Sequence, residues 1–218
     1  MKTRPDMYAR DPTVWRYGGI ARFLHWTTAA AFLALYCVIY FKNWFTEEDS
    51  AVSLTALQLH QAIGLSLTVF IVWRIWWRLN ATIPPPPATP RYARWAASLT
   101  HLALYCILIV MPLTGYLYAS NPTSFFGVLG VPKFGDTWLC HWLVDGLGLS
   151  LKLDIRAPSR FLHRELIGPI LLPVLIAAHV AAALYHHYIL RDGTLLRMFA
   201  PSGRRRIDAL ASAGDPAD

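Results

Sequence analysis

The sequence predicts an all-α membrane protein built as a four-helix transmembrane bundle, and three observations predict it. Hydrophobic residues make up 55% of the 218 and charged residues only 15%, whereas an ordinary soluble domain carries about a quarter charged residues. Mean hydropathy is +0.36. The apolar residues are also gathered into four runs, at 20–41, 56–77, 99–119 and 167–190. Each is long enough for a hydrocarbon core of about 30 Å, which takes roughly 20 apolar residues to cross. This composition excludes a disordered chain, a coiled coil and a standard cytosolic enzyme.

The first nineteen residues are polar and Arg-rich, which predicts a cytoplasmic tail and no cleavable signal peptide. Span one follows, with Arg22 near its start, where snorkelling is cheap. Span two ends with Arg74 and Arg78 beside Trp76 and Trp77. Four consecutive prolines at 84–87 make the second connection a rigid polyproline spacer. Span three is followed by a long connection, 120–165, whose Phe125, Phe126, Trp138 and Trp142 favour an ordered interfacial cap. Its apolar patch at 138–151 is broken by His141, Asp145, Gly146 and Gly148, and reads as an interfacial or re-entrant segment. After span four, residues 201–218 read as a disordered cytoplasmic tail, leaving 20–200 as the membrane domain.

Charge sets the expected orientation. The N-terminal tail, the second connection and the C-terminal tail share one side of the membrane. They hold fourteen of the twenty basic residues, including Arg4, Arg10, Arg16, Arg91, Arg94 and Arg204. The positive-inside rule therefore puts both termini in the cytoplasm. The net charge of +7 belongs to these flanks and to anionic lipid, not to nucleic acid. Cys37 and Cys106 fall inside spans and Cys140 in a loop, so neither a disulfide framework nor a C-x-x-C-H haem attachment is present.

Histidine carries the functional argument. Six of the eight, His25, His60, His101, His179, His186 and His187, fall in or at the ends of spans, with His163 just before the fourth. An imidazole in hydrocarbon is expensive unless it is paired, although a lone one can simply bond a neighbouring helix. His25 and His179 lie at the depth of the inner leaflet, and His60 and His163 at that of the outer one. Each leaflet thus holds a pair split between two helices, as cofactor-binding bundles arrange their ligands. Bis-His ligation suits b-type haem. Gly64, four residues after His60 on the same face, leaves room for a flat macrocycle. Zinc would need four converging ligands, commonly with Cys or carboxylate, and carboxylates are missing at these depths.

With these residues in view, the chain resembles the bacterial cytochrome b561 family, which is related to the cytochrome b subunits of nickel-iron hydrogenases. The likeness runs from about Gly19 to Pro201. It rests on Arg22-x-x-His25-Trp26, His60-x-x-x-Gly64, His101 followed by Pro112 and Gly115, Ser124 to Gly127, and His179 followed by His186-His187-Tyr188. The resemblance implies two b haems stacked in the bundle, one on His25 and His179 and the other on His60 and His163. It implies electron transfer between an outer-side donor and membrane quinone, with ubiquinone the expected substrate, in a bacterial inner membrane. One branch of the family looks like superoxide:ubiquinone oxidoreductases. Other members are electron-transfer subunits of hydrogenase- or dehydrogenase-type complexes, served by a periplasmic electron-transfer protein.

The family usually spaces its two span-four ligands fourteen residues apart, but here the separation is sixteen. In a regular helix sixteen steps leave them roughly 160° apart. Pro169 and Pro173 lie between them and make a regular helix unexpected. Either the helix starts near Pro169 with His163 reaching in, or a kink restores the face, or His141 replaces His163. Arg22, Arg74 and His101 are candidate propionate or quinone contacts; the bland alternatives are positive-inside anchoring and helix packing. Outside, Lys133, Lys152, Arg156, Arg160 and Arg164 would steer an anionic donor only locally, since seven acids face six bases there. Trp26, Tyr116 and Tyr118 read as part of an aromatic belt. A non-redox anchor or transporter is the reading from another class.

Overall fold

The computed structural model describes residues 17–81, 90–125, 128–191 and 194–199. The polyproline stretch at 84–87 and the tail at 201–218 lie outside them. Among the described residues four helices are long and apolar enough to cross a membrane: α1 (Gly19–Phe45), α2 (Ala51–Asn80), α3 (Arg91–Tyr118) and α5 (Leu151–Leu190). Between α3 and α5 lie a two-stranded antiparallel hairpin, β1 (Thr123–Phe125) with β2 (Leu129–Val131), and a short helix α4 (Trp138–His141). A π-helical turn (Trp142–Gly146) continues α4, and a last short helix α6 (Leu196–Phe199) follows α5.

The α1–α2 turn is fixed by Ser50, whose hydroxyl accepts from the Ser53 N–H at 3.1 Å and caps α2. α1 and α2 then pack along each other as an antiparallel pair, and α3 and α5 form a second pair. The buried core between the pairs includes Phe32, Leu35, Leu67, Ile71, Ile107, Leu108 and Leu172. Hydroxyls inside the apolar helices bond their own backbone one turn back. Thr28 donates to the Leu24 carbonyl at 2.6 Å, Ser66 to Ala62 at 2.9 Å and Thr114 to Val110 at 2.7 Å.

The described residues of the connection after α3 pack against the bundle. Phe134, Cys140 and Ile155 form a second small core there, and the Tyr116 hydroxyl donates to the Pro132 carbonyl at 3.0 Å. α5 begins at Leu151, well before the expected apolar window, because Ser150 caps it by accepting from the Leu153 N–H. It does not keep one winding. Residues Phe161–Leu171 are π-helical and Leu172–Tyr185 are α-helical. The helix ends at Arg191, which takes a left-handed conformation at φ 52°. Trp26 Nε1–H donates to the Met198 carbonyl at 3.0 Å and its ring lies 4.3 Å from that of Phe199. The start of α1 therefore shares one end of the bundle with the segment after α5. That end is called the termini end here, and the opposite one the hairpin end.

Candidate functional site

Two histidine pairs bridge the helix pairs, one near each end. At the termini end His25 of α1 faces His179 of α5, with ring centres 6.2 Å apart and planes at 54°. Toward the hairpin end His60 of α2 faces His163 of α5, with ring centres 6.3 Å apart and planes at 85°. His60 bonds the Leu35 carbonyl, so about ten residues of α1 separate the two levels, roughly 15 Å at 1.5 Å per residue.

His163 and His179 face their partners despite the sixteen-residue spacing, and the π-helical stretch explains how. A wider i→i+5 turn rotates the chain by roughly 80–90° per residue rather than 100°. Over the steps from His163 to Leu171 that reduces the expected separation of roughly 160° to a few tens of degrees. The proline pair gives the cause. Pro169 and Pro173 have no N–H to donate, so the regular i→i−4 ladder cannot run through this segment. The Leu172 N–H instead bonds the Ile167 carbonyl five residues back. Helix α5 neither starts at Pro169 nor breaks there. His141 takes no part in the pair: it sits exposed in α4, 3.7 Å from Asp145.

Hydrogen bonds fix the rings at the hairpin end. His163 Nδ1–H donates to the Met111 carbonyl at 2.9 Å, and His60 Nδ1–H to the Leu35 carbonyl at 3.3 Å. Both Nε2 lone pairs are thereby left for a metal, the second-shell arrangement usual for ligating histidines. Gly115 of α3 makes room for the His163 ring, because a Cβ there would stand 2.9 Å from Cε1. The pair lines an apolar cleft of about 1000 Å³, open space at its mouth included, together with Gly64, Phe32, Tyr36 and Leu172. Tyr118, expected in the aromatic belt, packs against His163 with ring centres 5.5 Å apart.

Charge distinguishes the other pair. Arg74 of α2 reaches across to α1, where Nη2 lies 3.1 Å from His25 Nδ1 and Nη1 donates to the Leu24 carbonyl at 3.3 Å. Its Nε is buried with no hydrogen-bond partner among the described residues, which leaves a donor for a carboxylate. Arg74 also lies over the Tyr105 ring. His101 of α3 stands 5.5 Å from the His179 ring, making a cluster of three imidazoles. Arg22 lies farther out, lining a shallow recess with Phe23, Trp26 and Phe199. His186 and His187 make ring contacts with Tyr185 and Tyr188.

The donor set fits a haem iron. An imidazole nitrogen bonds a metal at about 2 Å and lies roughly 1.1 Å from its ring centre, so two facing rings that shared one iron would have centres on the order of 6.3 Å apart. Both pairs meet that separation. Among the described residues no group of three or more His, Cys, Asp or Glu converges as a zinc site would require.

Comparison with known proteins agrees. Residues 16–201 match the family model described as prokaryotic cytochrome b561. The chain belongs to the prokaryotic cytochrome b561 family. Membership implies b-type haem and a prokaryotic membrane, in keeping with the four spanning helices. The chain is 30% identical to cytochrome b561 homolog 2 of Escherichia coli (strain K12), over 86% of this chain and 93% of that protein. It is also 30% identical to cytochrome b561 homolog 1 of the same organism, over 84% and 96%. To a Yersinia pestis protein named probable superoxide oxidase CybB it is 27% identical, over 64% and 72%.

Proposed function

We propose that this cytochrome b561-family chain holds two b haems and carries electrons between a donor at the hairpin end and membrane quinone. The observation that carries the reading is the twofold one of facing imidazoles at the separation a shared iron requires. His25 and His179 would hold one haem, and His60 and His163 the other. Each haem, when bound, supplies one-electron iron chemistry, and the chain supplies ligation, burial and spacing. The Met111 and Leu35 carbonyls orient the His163 and His60 rings. Arg74 places a positive charge beside His25 and offers its buried Nε to a propionate, with Arg22 and His101 as further polar groups near that end.

The charge distribution supports an orientation with both termini in the cytoplasm, so the hairpin end faces outward. Superoxide is the proposed donor and ubiquinone the proposed acceptor. The likeness to a protein named a superoxide oxidase supports this. Arg160 and Arg164 lie on the stretch of α5 that carries His163 and are suited to guide a small anion locally. Lys133 with Asp136 and Arg160 with Glu165 are partly neutralised, so the attraction is short-ranged. The second reading, an electron-transfer subunit of a larger dehydrogenase- or hydrogenase-type complex, uses the same haems with a protein donor.

A reduced-minus-oxidised visible spectrum of detergent-purified protein, with haem counted per chain, tests the first claim, and two b haems are expected. Superoxide generated in the cuvette should then reduce them, and ubiquinone should reoxidise them. Haem that ignores superoxide in a chain that co-purifies with a catalytic partner would favour the subunit reading. Assembled protein without haem would leave the non-redox alternative.

A further inference from the structure

The π-helical stretch of α5 leaves one backbone group in need of a partner. With the Leu172 N–H bonded to the Ile167 carbonyl, the same i→i+5 register assigns the Gly168 carbonyl to residue 173. That residue is Pro173, which has no N–H. Left alone in an apolar, part-buried setting, the carbonyl would be costly, and the segment would tend to rewind to another register. The Tyr36 hydroxyl, from α1, donates to this carbonyl at 2.6 Å. Position 168 is also in close contact with its own helix, since a Cβ there would stand 2.5 Å from the His163 carbonyl oxygen. Tyr36 thus bonds a residue whose backbone abuts that of His163.

We propose that Tyr36 is a positioning residue for His163: by occupying the Gly168 carbonyl it holds α5 in the underwound register that turns the His163 ring toward His60. The inference rests on the reading of His163 as a haem ligand and adds to it the group that sets the ligand's rotation. The hydroxyl takes the place of the N–H that Pro173 lacks. Without it, the helix gains by shifting register near Gly168, and each residue of shift swings His163 by roughly 80–100°. His179, past the stretch in regular α-helix, is not moved.

The test uses full-length protein carrying Tyr36→Phe, Pro173→Ala, both together, or His163→Ala, each purified with its haems. Low-temperature electron paramagnetic resonance resolves the two low-spin haem signals, and a redox titration follows each potential. Tyr36→Phe is expected to shift and diminish the signal of the hairpin-end haem while leaving that of the termini-end haem in place. Adding Pro173→Ala restores an N–H at residue 173, so the double variant should move the signal back toward wild type. General loss of packing would show no such rescue. If Tyr36→Phe fails to accumulate, accumulation of the double variant supports the proposal and its failure overturns it. Wild-type signals in Tyr36→Phe, or a shift the double variant does not reverse, also overturn it, while loss of one haem in His163→Ala leaves the ligand reading intact. Two unchanged haem signals in His163→Ala would overturn the ligand reading itself, and this inference with it.

Discussion

Gly115 of α3 lies directly against the His163 imidazole of α5, so close that a Cβ would stand 2.9 Å from Cε1 and 3.2 Å from Nδ1. The ring is held by its bond to the Met111 carbonyl, on the same face of α3 one turn earlier, and by Thr114 at 3.4 Å. It cannot retreat without losing that hydrogen bond. Gly115→Ala is therefore expected to displace the ring and remove the hairpin-end haem, cutting haem per chain by about half while the bundle still inserts. Forced overpacking of this kind costs about 1–3 kcal/mol, enough to unseat a ligand without unfolding four spans. Haem per chain by pyridine haemochrome on purified protein decides it, and full haem content would show that the ring has room to spare.

The four spans and the membrane depths of the histidines were legible in the sequence because hydropathy and depth are properties of single residues. The pairing of His60 with His163 was not settled there, because it depends on how α5 winds. A proline removes a donor, but which register the helix adopts afterwards is decided by groups far away in sequence. Tyr36 is 132 residues from Gly168, and no local pattern marks its hydroxyl as the one that meets that carbonyl. The same limit applies to Tyr118. Its place at the end of α3 suggested the interface, while the packing of α5 puts it against His163. Arg74 stood out as a propionate candidate, but its place beside His25 Nδ1 appears only once α1 and α2 are packed together.

The two pairs differ in ring geometry, and this should be visible spectroscopically. His60 and His163 have planes at 85°, His25 and His179 at 54°. In low-spin ferric haem, ligand planes closer to perpendicular bring the iron d orbitals nearer to degeneracy and raise the largest g value. Two distinct low-spin signals are expected, with the more anisotropic one lost in His60→Ala and the other in His25→Ala. Two identical signals would count against the difference in ring angle.

His101 adds a third imidazole at the termini end, 5.5 Å from His179. His25 would be the better partner for His179 in holding an iron, because their rings stand 6.2 Å apart against 5.5 Å for His101. His101→Ala is accordingly expected to keep both haems, while His179→Ala loses the termini-end one. Haem loss in His101→Ala would exchange the roles of His25 and His101.

The orientation can be tested from outside the cell. Ser120 is exposed at the hairpin end, just after α3. In a chain freed of its three cysteines, Ser120→Cys should react with a membrane-impermeant maleimide on intact spheroplasts. A fluorescent protein fused at the C-terminus should mature in the cytoplasm. Labelling only after lysis would reverse the positive-inside assignment.

Arg74 should tune one haem and not the other. Its guanidinium lies 3.1 Å from His25 Nδ1, and a cation so near the ligand favours the reduced iron, which carries one positive charge fewer. Unit charges on the order of 8 Å apart interact by about 2 kcal/mol at an effective dielectric of 20. At 59 mV per tenfold change for one electron, that corresponds to roughly 90 mV before screening. Arg74 is only half-buried, so the expected fall in Arg74→Gln is on the order of tens of millivolts. Arg74→Lys should retain most of the potential, because the charge remains although the planar fork is lost. A potentiometric titration of the two haems would show the His25–His179 haem moving down and the His60–His163 haem fixed. A fall in both, or a rise in the first, would mean that the Arg74 charge is not what sets the potential beside His25.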